Sequence, residues 1–496
     1  MNIFAKKMKP INYKKLTILI IVIAIALRFM LTLMHTISGD ACWHFSASKF
    51  IASNLRIPFD ENIGRSRFEP FWPSPLFHIV AAFFYSLFGE FGLKLAPFIF
   101  GSLSLIISYL IFKKFLNEKQ AFYAALFMSF LPIGIDFSIL GYPESAVAFF
   151  AILSIYFAVN NMFFLSGVSG GFALLSKFTG PFVIPALLFI AYKHGKNKKE
   201  KIRNIAFVTI IPLLISLPWF LRNWLLLGNP IWPFLNFIFH GLQQESYSYF
   251  SLANLAKPNT YVISYLGFFG VPDGHVSTFF FFDIPYIRLL IPVFVIATFI
   301  FILPLFFGFK KDSKYAFIYI FLASFAILLL LFELNVRPKV SRIVLPAVFG
   351  LSVIYGIGMD NLSSKYKNTG KALLILIIAI ISGFAVAEVT KFKLASDSWK
   401  IYKEDFEWAK ANIPKDAVLL NGGQCIRFRT DRKIVFPEED INSNNYDYVW
   451  VNQNFKLEPQ SIMAKEQLDI LSKKNLQLVY DNKKTNTKIF RVMKGK

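Results

Sequence analysis

Residues 14–44 read KKLTILIIVIAIALRFMLTLMHTISGDACWH. Two lysines open the stretch, and an apolar run of about 20 residues follows, enough for a helix to cross a hydrocarbon layer about 30 Å thick. Polarity then changes abruptly at Ser38-Gly39-Asp40. The basic N-terminus (Lys6, Lys7, Lys9, Lys14, Lys15) marks the cytoplasmic side, so the chain is expected to emerge on the other side just before Asp40. No small-residue cleavage site follows and Arg28 interrupts the run, so the segment reads as an uncleaved first helix.

The same alternation of apolar block and basic loop recurs along the chain. Of 496 residues, 55% are hydrophobic and 18% aromatic, more apolar surface than a soluble fold of this length can bury. The fold class expected is an α-helical polytopic membrane protein of about eleven spans, ending in a small α/β domain. Helices are expected at 16–35, 92–112, 120–137, 145–162, 204–221, 287–309, 315–333, 341–358 and 371–389. Segments 165–178 and 181–192 are expected to form a tight pair of short helices. Segment 75–88 is apolar but short and follows Pro70 and Pro73, so it reads as a helix lying in the outer leaflet. With that choice Lys113, Lys114 and Lys119, the 193–203 cluster, Lys310, Lys311 and Lys314, and Lys365, Lys367 and Lys371 all fall in the cytoplasm. A full span at 75–88 would put every later cluster on the wrong side.

The net charge of +23 is therefore a property of cytoplasmic loops, and no basic stripe interleaved with aromatics suggests nucleic acid. The expected organisation is a membrane domain over 1–390, with outer segments 38–91 and 222–285, and an outer soluble domain over 395–496. The latter carries strand patterns at 417–420, 433–436, 446–451, 476–480 and 487–492 and a helix at 461–474. Cys42 and Cys425 both fall outside the cytoplasm. Sequence gives no proximity between them, so two free thiols are expected in preference to a disulfide. The expected location is the cell (plasma) membrane.

Candidate chemistry gathers on the outer side. Asp40 and His44 are four apart on an expected helix reaching Asn54, so they share a face. They suit a base with its orienting partner, or two metal ligands; the blander reading makes Asp40 a helix cap. Glu144 starts a helix after Pro143, and Asp136 lies deeper, placed to pair with Arg28 or a tyrosine. Lys177 sits at an outer tip, where it either neutralises a phosphate or snorkels to the interface. Arg65, Arg67, Arg222, Arg337 and Arg342 are further candidates for a phosphate on a lipid tail. Carboxylates and cations beside a hydrophobic bundle suit attack on a lipid-linked phosphosugar. A transporter of a lipid-linked or anionic solute is the alternative, but it calls for charges in mid-span and internal repeats.

The order of these features resembles the GT-C glycosyltransferases, in particular protein O-mannosyltransferases and lipid A aminoarabinose transferases. The residues concerned are Asp40, Pro73-Ser74-Pro75-Leu76, Glu144 and Lys177-Phe178-Thr179-Gly180. Pro218-Trp219 with Arg222-Asn223, Gly228-Asn229-Pro230 and Arg342 through Pro346 complete the set. The resemblance covers roughly residues 15–390. It implies a polyprenyl- or dolichyl-phosphate sugar donor, an acceptor that is glycan, lipid or protein, and inversion at the anomeric carbon. It also implies Asp40 as base, Glu144 as second acidic site, and Lys177 with Arg342 as phosphate ligands. The usual acidic pair is here Asp40-Ala41, and Lys94 stands loosely for an expected arginine. No cofactor is required by these residues, and a divalent metal is left open.

Overall fold

The computed structural model describes residues 12–59, 70–242, 265–270, 291–335, 341–421, 423–443, 445–453 and 462–493. Helix α1 spans Tyr13–Met34, with the Asn12 side chain accepting from the Lys15 amide at its start. Gly39, at φ +60°, turns the chain directly into α2 (Asp40–Asn54). An L-residue with a side chain would be strained there. Helix α3 (Leu76–Phe88) follows, as the 75–88 pattern predicts, and packs on both α2 and α4 (Glu90–Phe115). Asn117 and Gln120 form a reciprocal cap that starts α5 (Glu118–Phe130). Pro132 cannot continue that helix, so 120–137 is divided into α5 and the short α6 (Pro132–Asp136).

Helices α7 (Glu144–Val159), α8 (Phe163–Ser176) and α9 (Ile184–His194) lie close to their expected bounds. Helix α10 runs over Lys198–Leu227, six residues past the expected end at 221, and stops at Gly228. It packs tightly on α8, where a Cβ on Gly167 would lie 2.2 Å from the Phe207 carbonyl oxygen. Such small-residue contacts let helices approach where lipid gives no hydrophobic drive. A short α11 (Asn236–Phe239) follows; most of the expected outer segment 222–285 lies outside the described residues. The bundle is completed by α12 (Ile291–Ile302), α13 (Ala316–Asn335), α14 (Ala347–Lys365) and α15 (Lys367–Lys400).

Five helical segments among the described residues have the length and hydropathy to cross a membrane: 13–34, 90–115, 198–227, 313–331 and 370–400. The apolar helices at 76–88, 144–159, 163–176, 180–194 and 292–307 are shorter. Helix α15 passes unbroken through 390–395, where the composition changes. At 1.5 Å per residue it is about 51 Å long, well beyond the hydrocarbon thickness. The change in composition thus falls within one continuous helix.

Beyond α15 lie α16 (Lys403–Asn412), β1 (Val418–Leu420), α17 (Gln424–Thr430), β2 (Lys433–Val435) and α18 (Pro437–Asp440). Then come β3 (Tyr448–Val451), α19 (Lys465–Ser472), β4 (Leu476–Asn482) and β5 (Thr487–Val492). The five strands form one sheet in the order β2-β1-β3-β5-β4, with β1 parallel to β2 and β3 and the remaining pairs antiparallel. Burial pushes the Tyr480 phenol well above its ordinary pKa, helped by its hydrogen bond to Asp405. The Asp405 carboxylate also accepts from Asn482 and Thr487, pinning α16 to the β4–β5 hairpin.

One expectation is overturned here. Cys42 on α2 and Cys425 on α17 form a disulfide, with Cα atoms 5.0 Å apart. The residues are separated by 383 positions, so only the tertiary fold brings them together.

Candidate active site

Four chain segments deliver the charged residues. Asp40 is the first residue of α2; Gly39 occupies the cap position, and no side chain caps that helix end. The capping role considered for Asp40 is thus not the one it takes. Glu144 is the first residue of α7, immediately after Pro143, and Lys177 is the first residue beyond α8. Arg342 lies in a single helical turn, Ser341–Val344, just before Pro346 and α14.

These four side chains form one continuous run of charge. The Asp40 Oδ2 is 3.2 Å from Arg342 Nη2, Arg342 Nε is 3.3 Å from Glu144 Oε1, and Lys177 Nζ donates to the same oxygen at 2.6 Å. Among the described residues the run holds two carboxylates and two cations, and pairing of this kind is the condition under which buried charge is tolerated. The guanidinium of Arg342 also lies over the Tyr142 ring, 4.7 Å from its centroid. Tyr142 itself borders Gly39, whose missing Cβ would sit 3.6 Å from the phenol oxygen.

Exposure grades along this run. The side chains of Asp40 and Arg342 are 32% and 21% exposed, whereas Glu144 is at 2%. Asp40 is therefore the carboxylate within reach of an incoming molecule. Glu144 is a buried anchor that aims two cations, and its Oε2 has no hydrogen-bond partner among the described residues. Beside Lys177 an aromatic wall rises from three segments: Phe178 and Phe234 lie 4.3 Å apart, and Trp72 flanks them at 6.2 and 6.0 Å.

Other expected residues go elsewhere. The His44 Nδ1 lies 2.8 Å from His78 Nε2 on α3, within a cluster including Trp43 and Phe77, so it meets a second imidazole. Nothing in the sequence spacing pointed to His78. Arg222 donates to the carbonyls of Phe71 and Pro58 and lies over Trp219, which ties those two residues to α10. Asp136 pairs with Lys391 at 2.6 Å, and Glu388 joins the same ammonium at 2.5 Å. Arg28, considered as its partner, instead donates to Ser138 Oγ and to the Ala24 and Ser129 carbonyls. Those carbonyls include one at the break that Pro132 makes. Lys94 donates to the His35 carbonyl. Arg65, Arg67 and Arg337 lie outside the described residues. No group of three or more His, Cys, Asp or Glu suited to a metal occurs among the described residues.

Residues 72–221, which include Glu144 and Lys177, match the family model for dolichyl-phosphate-mannose-protein mannosyltransferases. No curated protein matches the sequence. The fold is similar to that of ArnT from Cupriavidus metallidurans bound to undecaprenyl phosphate. The TM-score is 0.62 at 14% identity, covering 96% of this chain and 97% of that one. The apo form of the same protein gives 0.64 at 13% identity, with the same coverage. The archaeal oligosaccharyltransferase AglB from Archaeoglobus fulgidus, in complex with an inhibitory peptide and a dolichol-phosphate, gives 0.51 at 13% identity. That match covers 96% of this chain and 74% of AglB. The chain thus matches a mannosyltransferase family model over its central helices, residues 72–221, and shares the fold of ArnT along nearly its whole length.

Proposed function

We propose that the protein transfers a sugar from a polyprenyl- or dolichyl-phosphate donor to a hydroxyl acceptor at the non-cytoplasmic membrane surface, inverting the anomeric carbon. The observation that carries this reading is the linked run Asp40–Arg342–Glu144–Lys177, with a half-exposed carboxylate at one end and cations behind it. Lys177 and Arg342 bind the donor phosphate, exchanging part of their contact with Glu144 and Asp40 for the incoming oxygens. Release of Asp40 from Arg342 frees it to accept a proton. The acceptor oxygen then attacks the anomeric carbon, its proton passes to Asp40, and the bond from that carbon to the phosphate oxygen breaks. The departing polyprenyl phosphate takes the electron pair and remains on the cations.

Asp40 as base, Glu144 as the aiming acid, and Lys177 and Arg342 as phosphate ligands are the roles favoured by this geometry. His44 acts behind them, in contact with His78, and supports α2 against α3. The lipids in the ArnT and AglB structures support a lipid-phosphate donor here. The Cys42–Cys425 disulfide supports an oxidising, non-cytoplasmic setting for Asp40 and the sheet domain, in line with the basic loops on the other side. The membrane domain over 1–390 and the outer domain from 395 follow from the same assignment.

The test is to supply the purified protein with labelled α- and β-linked polyprenyl-phosphate sugars and a panel of hydroxyl acceptors. Transfer from one donor class, with the opposite anomeric configuration in the product, is the expected result. Retained configuration would overturn the in-line single-displacement reading.

A further inference from the structure

The sheet domain holds the segment that bears Asp40 at several consecutive points. Thr36 donates to Ser396 at the outer end of α15, and the Ile37 carbonyl accepts from Arg429 Nη2 at 2.7 Å. Cys425 Sγ lies 3.8 Å from the Gly39 carbonyl oxygen, and the disulfide fixes Cys42. Positions 36, 37, 39 and 42 bracket Asp40 on both sides. About two turns further along α2, Lys49 reaches Asp431 at 3.3 Å and donates to the Phe428 carbonyl. Arg429 is itself held over Trp399, 4.6 Å from the ring centroid.

Packing between the two regions is equally continuous. Ile37, Ala41, Cys42 and Phe45 share one buried apolar cluster with Phe406, Ile426, Phe428 and Trp450. Domains in one chain move relative to each other by default unless their interface is large and hydrophobic. Here the apolar core of the sheet domain extends onto α2. A base must also be held tightly, since a misplacement of about 1 Å costs about a hundredfold in rate.

We propose that the C-terminal sheet domain is a positioning element for Asp40, with Arg429 and the Cys42–Cys425 bond as its positioning residues. This rests on the reading of Asp40 as the base. The clamp sets the distance from Asp40 to the acceptor hydroxyl, while the donor phosphate is held by Lys177 and Arg342, which the sheet domain does not grip through these contacts. Its loss therefore lowers kcat and leaves donor affinity in place.

The test uses the full-length protein in nanodiscs. Three preparations are compared with the wild type: folded protein treated with a membrane-permeant phosphine reductant, Arg429→Gln, and Arg429→Lys. Each is assayed for kcat, for KM of the lipid-linked donor and for equilibrium binding of polyprenyl phosphate. The expected result is a fall in kcat of about ten- to a hundredfold on reduction and in Arg429→Gln, with donor KM and polyprenyl phosphate binding within about twofold. Arg429→Lys recovers part of the loss because an ammonium still reaches the Ile37 carbonyl, and reoxidation restores the reduced sample. Unchanged kcat in both the reduced protein and Arg429→Gln overturns the proposal, as does a parallel loss of donor binding. Asp40→Asn separates the two readings: full activity in that variant sinks the base assignment. An inactive Asp40→Asn with fully active clamp variants sinks the positioning role alone.

Discussion

Among the described residues, two charge clusters are close enough in composition to make their difference instructive. In the first, Asp40 and Glu144 are met by Arg342 and Lys177. In the second, Asp136 and Glu388 share the single ammonium of Lys391, which also donates to the Gly270 carbonyl. Among the described residues the first holds two acids and two cations, and it opens at Asp40, which is 32% exposed. The second carries one carboxyl in excess and is closed, with its acids only 3% and 4% exposed. An excess buried carboxylate is costly unless it keeps a proton. The closed cluster has the features of a strut tying α15 to α6 and to the 265–270 segment. The open one has a surface from which chemistry can start. Counting acids in the sequence does not separate the two; exposure and the number of cations do.

Variants of the flanking residues sharpen that contrast. The largest effect among them is expected for Lys177→Met, which removes a cation from the proposed donor-phosphate site. Transfer measured as kcat/KM is expected to fall about a hundred- to a thousandfold, comparable to loss of a charge-stabilising donor. Glu144→Gln should cost about tenfold in kcat by leaving Arg342 and Lys177 poorly aimed, with a lower thermal midpoint because two cations lose a buried counter-ion. Lys391→Met is expected to act the other way round. Breaking a buried ion pair destabilises by about 3–5 kcal/mol, read as a lower midpoint in thermal unfolding, while kcat of the folded fraction stays within about threefold. A Lys391→Met protein that is stable but inactive would move the catalytic centre to the second cluster.

Much of this arrangement was legible in the residues alone. The switch from apolar run to Ser38-Gly39-Asp40 located the start of α2, and the strand patterns at 433–436, 476–480 and 487–492 fall on β2, β4 and β5. These are local signals, set by hydrophobic periodicity and turn chemistry. Pairings across the fold were not legible. Lys391 meets Asp136 across 255 positions, and Arg342 meets Asp40 across 302. His44 finds His78 because α2 and α3 pack together, and the disulfide needs the whole sheet domain docked. The end of α15 lies at Lys400, past the expected 389, because a change in side-chain polarity does not by itself break a helical backbone.

The most direct test sets one acid from each cluster side by side. Asp40→Asn and Asp136→Asn are purified, polyprenyl phosphate binding is confirmed for both, and single-turnover transfer from the lipid-linked donor is measured against the wild type. Asp40→Asn is expected to lose about a hundred- to ten-thousandfold in rate with donor binding retained, while Asp136→Asn transfers within about threefold of the wild type. Equal rates in the two variants, or a larger loss in Asp136→Asn, would contradict that expectation.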